Sequence, residues 1–241
     1  MSTPKLHAQL DHLVVMASSL AEGVAWAERV LGVTPAPGGK HPLMGTHNRL
    51  FSVASPTFPR AYLEIIALDP EARPTRAAEL HRWFDMDDKL LQARVAQEGP
   101  QLIHFVVRVK GVHTAVKALA AIGLDRGAVL QESRLTPTGL LNWRITVRDD
   151  GQRLFYGGLP TLIQWGESSE DPAHAAHPSD TLPPCGVSLQ ALQVSHSRPE
   201  KLAEAYQAIG LQGIPLHTGA PRLVATLQTP HGPVTLSASH A

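Results

Sequence analysis

The sequence has one cysteine, few aromatic residues and no excess of charge of either sign. Because Cys185 stands alone, the chain cannot form an internal disulfide. Lysine and arginine number 21, as do aspartate and glutamate, so nucleic acid is not expected as a partner. The sequence also lacks the roughly 18 consecutive apolar residues of a membrane helix and the N-terminal pattern of a secretory signal. We therefore expect a cytoplasmic protein, with no membrane partner, that acts on a small molecule or on another protein.

Several common catalytic motifs are missing as well. The strings GxGxxG, GxxxxGK[ST], GxSxG and HExxH do not occur, which argues against the commonest nucleotide-binding, hydrolase and metalloprotease chemistries. What is present is 241 residues of which 43% are hydrophobic, enough to bury a core in one large domain or two smaller ones.

A pattern of strand, helix and glycine recurs along the chain. Each copy begins with a short apolar run, continues with apolar residues at helical spacing, and ends at a glycine that can terminate a helix. The interval from strand to glycine is 20, 19 and 19 positions for His12–Gly32, His104–Gly123 and Ala191–Gly210. This agreement predicts three copies of one structural unit.

Three further strand candidates, bounded by glycine and proline, follow each helix. The predicted unit is therefore βαβββ and the predicted fold class is α+β, with the third copy a degenerate unit. The predicted organisation is a paired domain at 1–166, with units at about 7–70 and 101–166 and an inserted helix at about 77–98, then a linker at 167–186 and a third unit at 187–241.

Polar residues interrupt apolar strands at matching places in the first two units. His12 and His104 lie in the first strands, and Glu64 and Gln164 lie in the last strands. The third unit has different residues at these places, Ala191 and Thr235. An unpaired buried glutamate costs several kcal/mol, so Glu64 needs a cation, a donor or water. The joint occurrence favours a metal site, and the alternative is a set of hydrogen-bonded side chains with structural roles.

Three segments resemble a known family: LDHLVVMASSLAEGVAWAERVLG, HPLMGTHNRLFSV and YLEIIALDP. They are similar to glyoxalase-like domain proteins of the vicinal oxygen chelate superfamily, over residues of about 7–170. The resemblance implies that paired units form a curved mixed sheet around a cavity, with a divalent metal held by the first and last strands of each unit.

Carried over by position, the resemblance implies four metal-ligand candidates: His12, Glu64, His104 and Gln164. The neutral amide of Gln164 departs from the carboxylate common in the superfamily and is a poor ligand. Two imidazoles and one carboxylate still suffice for iron or zinc, and the implied cofactor is a divalent ion, Zn, Fe, Mn or Ni.

A second cluster in the HPLMGTHNRL segment supplies candidates for substrate binding. They are His41, His47, Asn48 and Arg49, and the matching strand of unit two adds Trp143 and Arg144. Arg49 or Arg144 is expected to bind a substrate carboxylate in the cavity, with Arg49 the stronger candidate. The alternative is that either arginine pairs with a neighbouring glutamate or lies at the rim of the sheet.

The linker contains His174, His177 and Cys185, which have no spacing typical of a zinc site. Since the surroundings are rich in proline and serine, we expect a solvated linker there.

The resemblance implies a metal-assisted lyase, isomerase or dioxygenase that acts on a small oxygenated molecule, with Glu64 as metal ligand or catalytic base. The alternative is a metal-free protein of the same fold that binds or sequesters a small molecule. The third unit has an apolar sheet face that needs a partner. Either two third units meet in a homodimer, which we expect, or the unit packs on the outside of the first pair.

Overall fold

The computed structural model describes residues 6–136, 139–166 and 176–239. The first unit comprises β1 (Ala8–Met16), α1 (Leu20–Trp26), β2 (Ala36–His41), β3 (Thr46–Ser52) and β4 (Tyr62–Leu68), and an insertion follows with α2 (Lys89–Glu98). The second unit comprises β5 (Gln101–Val109), α3 (Val112–Ala120), β6 (Ala128–Thr136), β7 (Gly139–Val147) and β8 (Thr161–Trp165). The third comprises β9 (Ser188–His196), α4 (Pro199–Ile209), β10 (Leu216–Thr218), β11 (Arg222–Thr229) and β12 (Gly232–Ser239). No helix within these described ranges is long and apolar enough to cross a membrane.

The first two units share one curved, mixed sheet of eight strands. Its order is β2-β3-β4-β1-β5-β8-β7-β6, so the two units repeat the same strand order on either side of the centre. In each unit the last strand pairs in parallel with the first, and β1 and β5 pair antiparallel in the middle. This arrangement confirms the predicted α+β fold of repeated units around a cavity.

The helical segments begin and end where local chemistry predicts. The Ser19 side chain caps α1 by accepting a hydrogen bond from the backbone N–H of Glu22. The three predicted terminating glycines have positive φ, 68° at Gly32, 77° at Gly123 and 68° at Gly210. Glycine adopts this left-handed backbone at little cost, whereas other residues are strained there. Gly32 and Gly210 directly follow their helical segments, whereas α3 ends at Ala120, three residues before Gly123.

Alternation along the strands divides the apolar side chains between two faces of the large sheet. In β1, Leu13 and Val15 belong to the core on the outer face, which α1, α3 and the third unit cover. Val14 and Met16 belong to a second core on the inner face, together with Trp165 of β8. The inner face encloses the cavity.

The third unit has the predicted element order but different strand neighbours. Its sheet runs β10-β9-β11-β12, so the first strand of the unit is internal and the last is at the edge. In units one and two the last strand lies beside the first. The alignment that set Thr235 against Glu64 is therefore wrong, because Thr235 lies on β12, which does not pair with β9.

The apolar face of the third sheet packs within the same chain. Leu192 and Leu227 join Phe105 in the outer-face core. The Tyr206 hydroxyl donates a hydrogen bond to the carbonyl of Gly158 at 2.7 Å, which ties α4 to the second unit. Of the two predicted arrangements, the third unit adopts the one in which it covers the outside of the first pair.

The insertion between the first two units is less helical than predicted. The regular helix begins at Lys89, not near residue 77, and its first turn is capped by the Asp88 carboxylate. Before it, Phe84 and Asp85 have φ values of 61° and 57°, which interrupt a regular right-handed helix. The resulting bend places Trp83 and Phe84 in the inner-face core, over the cavity.

Candidate active site

The inner face of the large sheet encloses a small space of about 40 Å³, which we call the inner compartment. Its polar lining comes from the first unit and from β6: His12, His41, Asn48, Tyr62, Glu64 and Arg134. Its aromatic lining comes from the insertion and the second unit: Trp83, Phe84, Trp143 and Trp165. Polar groups beside aromatic walls make a site in which charges interact more strongly than in water.

Asp11 lies next to this compartment and accepts three hydrogen bonds. The pairing of β1 with β5 skips Asp11, a bulge that can redirect a side chain. The fully buried carboxylate accepts from His12 Nδ1 at 2.7 Å, and from Trp165 Nε1 at 2.9 Å and His177 Nε2 at 3.0 Å. Three separate segments therefore converge on one acid.

The contacts of Asp11 fix its charge and the proton positions of its neighbours. Burial by itself would raise the pKa of Asp11, but the charge and hydrogen bonds of His177 and His12 outweigh burial and hold the pKa well below its ordinary value. A carboxylate can only accept, so neutral His12 carries its proton on Nδ1 and keeps a lone pair on Nε2. The ring of Tyr62 stacks on His12 at a centroid distance of 4.6 Å and holds this orientation.

Glu64 faces the free nitrogen of His12. Glu64 Oε2 lies 3.6 Å from His12 Nε2, across the parallel pairing of β4 with β1. The other oxygen, Oε1, accepts a hydrogen bond from Asn48 Nδ2 at 2.6 Å. The orientation of Asn48 is fixed because its Oδ1 accepts from the backbone N–H of Gly39 at 2.7 Å. A carboxylate and an imidazole thus share the inner compartment, and each is held by its own hydrogen-bond partner.

His41 is the neutral member of this cluster. Burial lowers its pKa to about 4, although the charge of Glu64 opposes the shift. His41 Nδ1 lies 3.1 Å from Thr46 Oγ1, and its Nε2 lies 3.4 Å from Asn48 Nδ2. His41 therefore supports Asn48 and does not carry charge at neutral pH.

A larger space of about 410 Å³ adjoins the inner compartment, and we call it the outer compartment. The two compartments share four residues, Leu50, Arg134, Leu141 and Pro178. Arg134 is half-buried and lies at this junction. It is a cation that borders both spaces.

Gln164 does not face the cavity as a metal ligand would. Its Oε1 accepts hydrogen bonds from the first two backbone N–H groups at the start of α3, at 3.1 and 2.9 Å. Strand register explains the misplacement. In the first unit Val14 pairs with Glu64, and in the second unit Val106, at the matching position, pairs with Thr161. Thr161 is therefore the counterpart of Glu64, and Gln164 lies on the outer face.

The ring of His104 is also held by contacts that do not belong to a metal site. Its Nε2 lies 3.0 Å from Thr161 Oγ1 and 3.2 Å from the backbone nitrogen of Thr161. Burial lowers the pKa of His104 well below its ordinary value, and the nearby charges of Arg126 and Arg153 add to the shift. In the ranges that the structure describes, no three His, Cys, Asp or Glu side chains stand close enough together to hold a metal ion. The donor set predicted for a divalent metal therefore does not fit this structure.

Strand alternation divides the predicted substrate-binding residues. Three line the inner compartment: His41, Asn48 and Trp143. Three do not line either compartment: His47, Arg49 and Arg144. Period-two alternation correctly places His47, Arg49 and Phe51 on one face of β3, but this is the outer face, where Phe51 joins the core. The prediction that Arg49 or Arg144 receives a substrate carboxylate in the cavity is therefore wrong.

Sequence reasoning also missed functional candidates. Asp11 directly precedes His12 in an apolar strand. Like Glu64, it is an acid where apolar residues are expected, and this could have marked it as a candidate. Arg134 and His177 gave no such signal, because their place depends on β6 and on a segment far along the chain. His177 is buried, so the expected solvated linker is wrong for this residue. His174 lies outside the described residues.

A family model described as a glyoxalase-like domain matches residues 10–210. The chain belongs to the glyoxalase-like domain family. The match to this family extends past the resemblance found in the sequence, through β9 and α4 of the third unit.

Solved structures similar to this glyoxalase-like chain include a hypothetical protein from Staphylococcus aureus. It has 12% sequence identity and a TM-score of 0.58, with 97% of this chain and 86% of that chain covered. At this identity the similarity is one of fold. Methylmalonyl-CoA epimerase from Mycobacterium tuberculosis has 15% identity and a TM-score of 0.38, over 68% of this chain and 91% of that chain. A variant of the Streptomyces coelicolor epimerase has 16% identity and a TM-score of 0.41, over 67% of this chain and 99% of that chain. No curated protein matches the chain.

Proposed function

We propose that this glyoxalase-like protein is an isomerase or lyase that moves a proton on a small carbonyl compound. The observation that carries the proposal is the His12–Glu64 pair, whose Nε2 and Oε2 atoms are 3.6 Å apart in an aromatic-walled space. A positioned acid–base pair of this kind contributes roughly 10²- to 10⁴-fold to proton transfer.

His12 and Glu64 are the groups that move the proton in this reaction. One member of the pair, acting as base, removes a proton from the carbon next to the carbonyl, and the electrons of that C–H bond move onto the carbonyl oxygen. When those electrons return, the carbonyl forms again and the same member, now protonated, gives its proton back to carbon. Burial raises the pKa of Tyr62 well above its ordinary value, and the charges of Asp11 and Glu64 raise it further. The Tyr62 hydroxyl therefore stays protonated.

The metal-assisted form of this activity, and a dioxygenase reaction in particular, forms no part of the proposal. The reason is the donor set: Gln164 caps α3 and His104 contacts Thr161. Proton transfer requires only groups that line the inner compartment. The single unpaired Cys185 supports a reducing, cytoplasmic location, which we also propose.

A metal-free binding protein is the second candidate. The observation that favours it is the outer compartment, which is large and mostly apolar and borders one cation, Arg134. A protein that only sequesters a ligand would use this space and would not transfer protons.

Hydrogen–deuterium exchange separates the two candidates. Pyruvate and longer 2-oxo acids in D₂O, followed by NMR, report proton removal next to the carbonyl. We expect wild-type protein to accelerate the exchange, and His12→Gln and Glu64→Gln to lose about 10²-fold or more. His217→Gln changes an exposed histidine far from the site and should leave the rate unchanged. Exchange that is equal in wild type and both site variants would overturn the enzyme proposal, and binding without exchange would favour the second candidate.

A further inference from the structure

The inner compartment is too small for a whole substrate. Its volume of about 40 Å³ is a tenth of the volume of the outer compartment, about 410 Å³. A ligand that reaches His12 and Glu64 can therefore place only a short oxygenated group there. The rest of the ligand must occupy the adjoining outer compartment.

The outer compartment is lined mainly by aliphatic side chains. They are Ala36, Pro37, Leu50, Leu135, Leu140, Leu141, Ala176, Pro178 and Leu182. The acid in its wall, Asp180, is already neutralised, because its two oxygens accept from Arg60 Nη2 at 2.8 and 3.0 Å. This lining suits an aliphatic chain, which gains from leaving water, better than it suits a polar or charged body.

Arg134 supplies the charge that such a ligand must match. In the part of the chain that the structure describes, its guanidinium has no hydrogen bond or ion pair to another side chain. It lies where the inner and outer compartments meet. A planar guanidinium at this point can hold a carboxylate through two parallel hydrogen bonds.

We infer that the ligand is a medium-chain aliphatic carboxylate with an oxygen function next to the carboxylate. Arg134 binds the carboxylate, the oxygenated carbon enters the inner compartment, and the aliphatic tail fills the outer compartment. This inference rests on the proposed function for the position of the reacting carbon. The binding of the tail and the carboxylate does not require catalysis, so it is tested separately.

Calorimetric titration of the full chain with acetate, hexanoate, octanoate and decanoate tests the tail. Each added methylene should tighten binding by about fourfold until the compartment is full. Leu182→Asp places a charge in the wall at a partly exposed position and should abolish this dependence on chain length. If octanoate binds no more tightly than acetate, the inference is overturned.

A neutral analogue tests the role of Arg134. Arg134→Gln should weaken octanoate roughly tenfold or more and leave octanamide unchanged, since only the carboxylate needs the charge. Arg222→Gln removes an exposed arginine on β11 and serves as the matched control. Equal octanoate affinity in wild type and Arg134→Gln would remove Arg134 from the site. Catalysed exchange of pyruvate without any chain-length effect would contradict this inference alone, whereas chain-length-dependent binding without exchange would contradict only the proposed function.

Discussion

At the scale of single residues, Asp11 determines how His12 presents its free nitrogen. Its carboxylate is fully buried and receives hydrogen bonds from three donors. An asparagine would place an amide N–H group against one of those donors and would no longer fix the proton on His12 Nδ1.

Asp11→Asn should therefore lower the exchange rate by about 10²-fold or more, without removing either member of the acid–base pair. The NMR exchange assay measures this, together with its dependence on pH. Asp149→Asn, at an acid whose side chain is 77% exposed, is the control. A rate within twofold or so of wild type for Asp11→Asn would show that His12 is oriented by other contacts.

Two buried histidines make stability depend on pH. The pKa of His41 is lowered to about 4, and that of His104 lies well below its ordinary value of 6.5. Between pH 6.5 and about 4 the unfolded chain binds protons that the folded His41 does not, so the free energy of unfolding falls as pH falls. Each histidine contributes at most about 1.4 kcal/mol per pH unit.

Urea denaturation at pH 7.5 and at lower pH values measures this loss. His41→Gln keeps a polar side chain that does not titrate, so the decline with falling pH should be shallower than in wild type. His217→Gln, at an exposed histidine, should keep the wild-type slope. An unchanged slope in His41→Gln would mean that His41 is protonated in the folded state.

At the scale of elements, Gln164 shows how one side chain connects a strand to a helix. It caps α3 from β8, a role that the local sequence of the helix does not supply, since Gly111 has no side chain to do so. Gln164→Leu should lower the free energy of unfolding by about 1–2 kcal/mol, because two N–H groups lose their acceptor. Gln164→Glu keeps an acceptor and should be milder.

Denaturation by urea measures both variants, with Gln193→Leu on an exposed part of β9 as the control. Neither change should alter exchange or metal content, because Gln164 lies on the outer face. A higher metal content in Gln164→Glu than in wild type would support the prediction that this position is a metal ligand.

Element boundaries were predictable where local chemistry decides them. Gly32 and Gly210 end their helical segments, as predicted. Register and strand neighbours were not predictable, because a period of two in apolar residues does not say which strand lies alongside. This is why Gln164 was aligned with Glu64. The left-handed backbone of Phe84 was missed for another reason, since nothing in the local sequence indicates a positive φ at a phenylalanine.

At the scale of the whole molecule, the third unit shares one core with the first two. Leu192 and Leu227 pack in the same cluster as Phe105, and Tyr206 contacts Gly158. We therefore expect one cooperative unfolding transition for the full chain, with near-ultraviolet and far-ultraviolet circular dichroism changing together. Two separate transitions would show that residues 187–241 fold as an independent domain.

The homodimer remains a prediction, but its sequence-based reason no longer holds. That reason was an uncovered apolar face on the third sheet, and the face is covered within the chain. The most exposed large apolar side chains include Leu135 and Leu140, 82% and 52% exposed, on β6 and β7. Sedimentation of the 25.9 kDa chain measures the oligomeric state, and a dimer would be expected to dissociate when both leucines are replaced by serine.

The convergence on Asp11 also has a consequence in time. A ribosome delivers His12 and Glu64 early, but the two other donors to Asp11 come from Trp165 and from His177, which is 166 positions later in the chain. Until that segment emerges and docks, Asp11 lacks two of the three donors that hold its carboxylate in place. The nascent protein therefore acquires a fully supported His12 only after residue 177 has been synthesised and has docked, so a chain that stopped before Trp165 would carry the reacting groups without these two contacts.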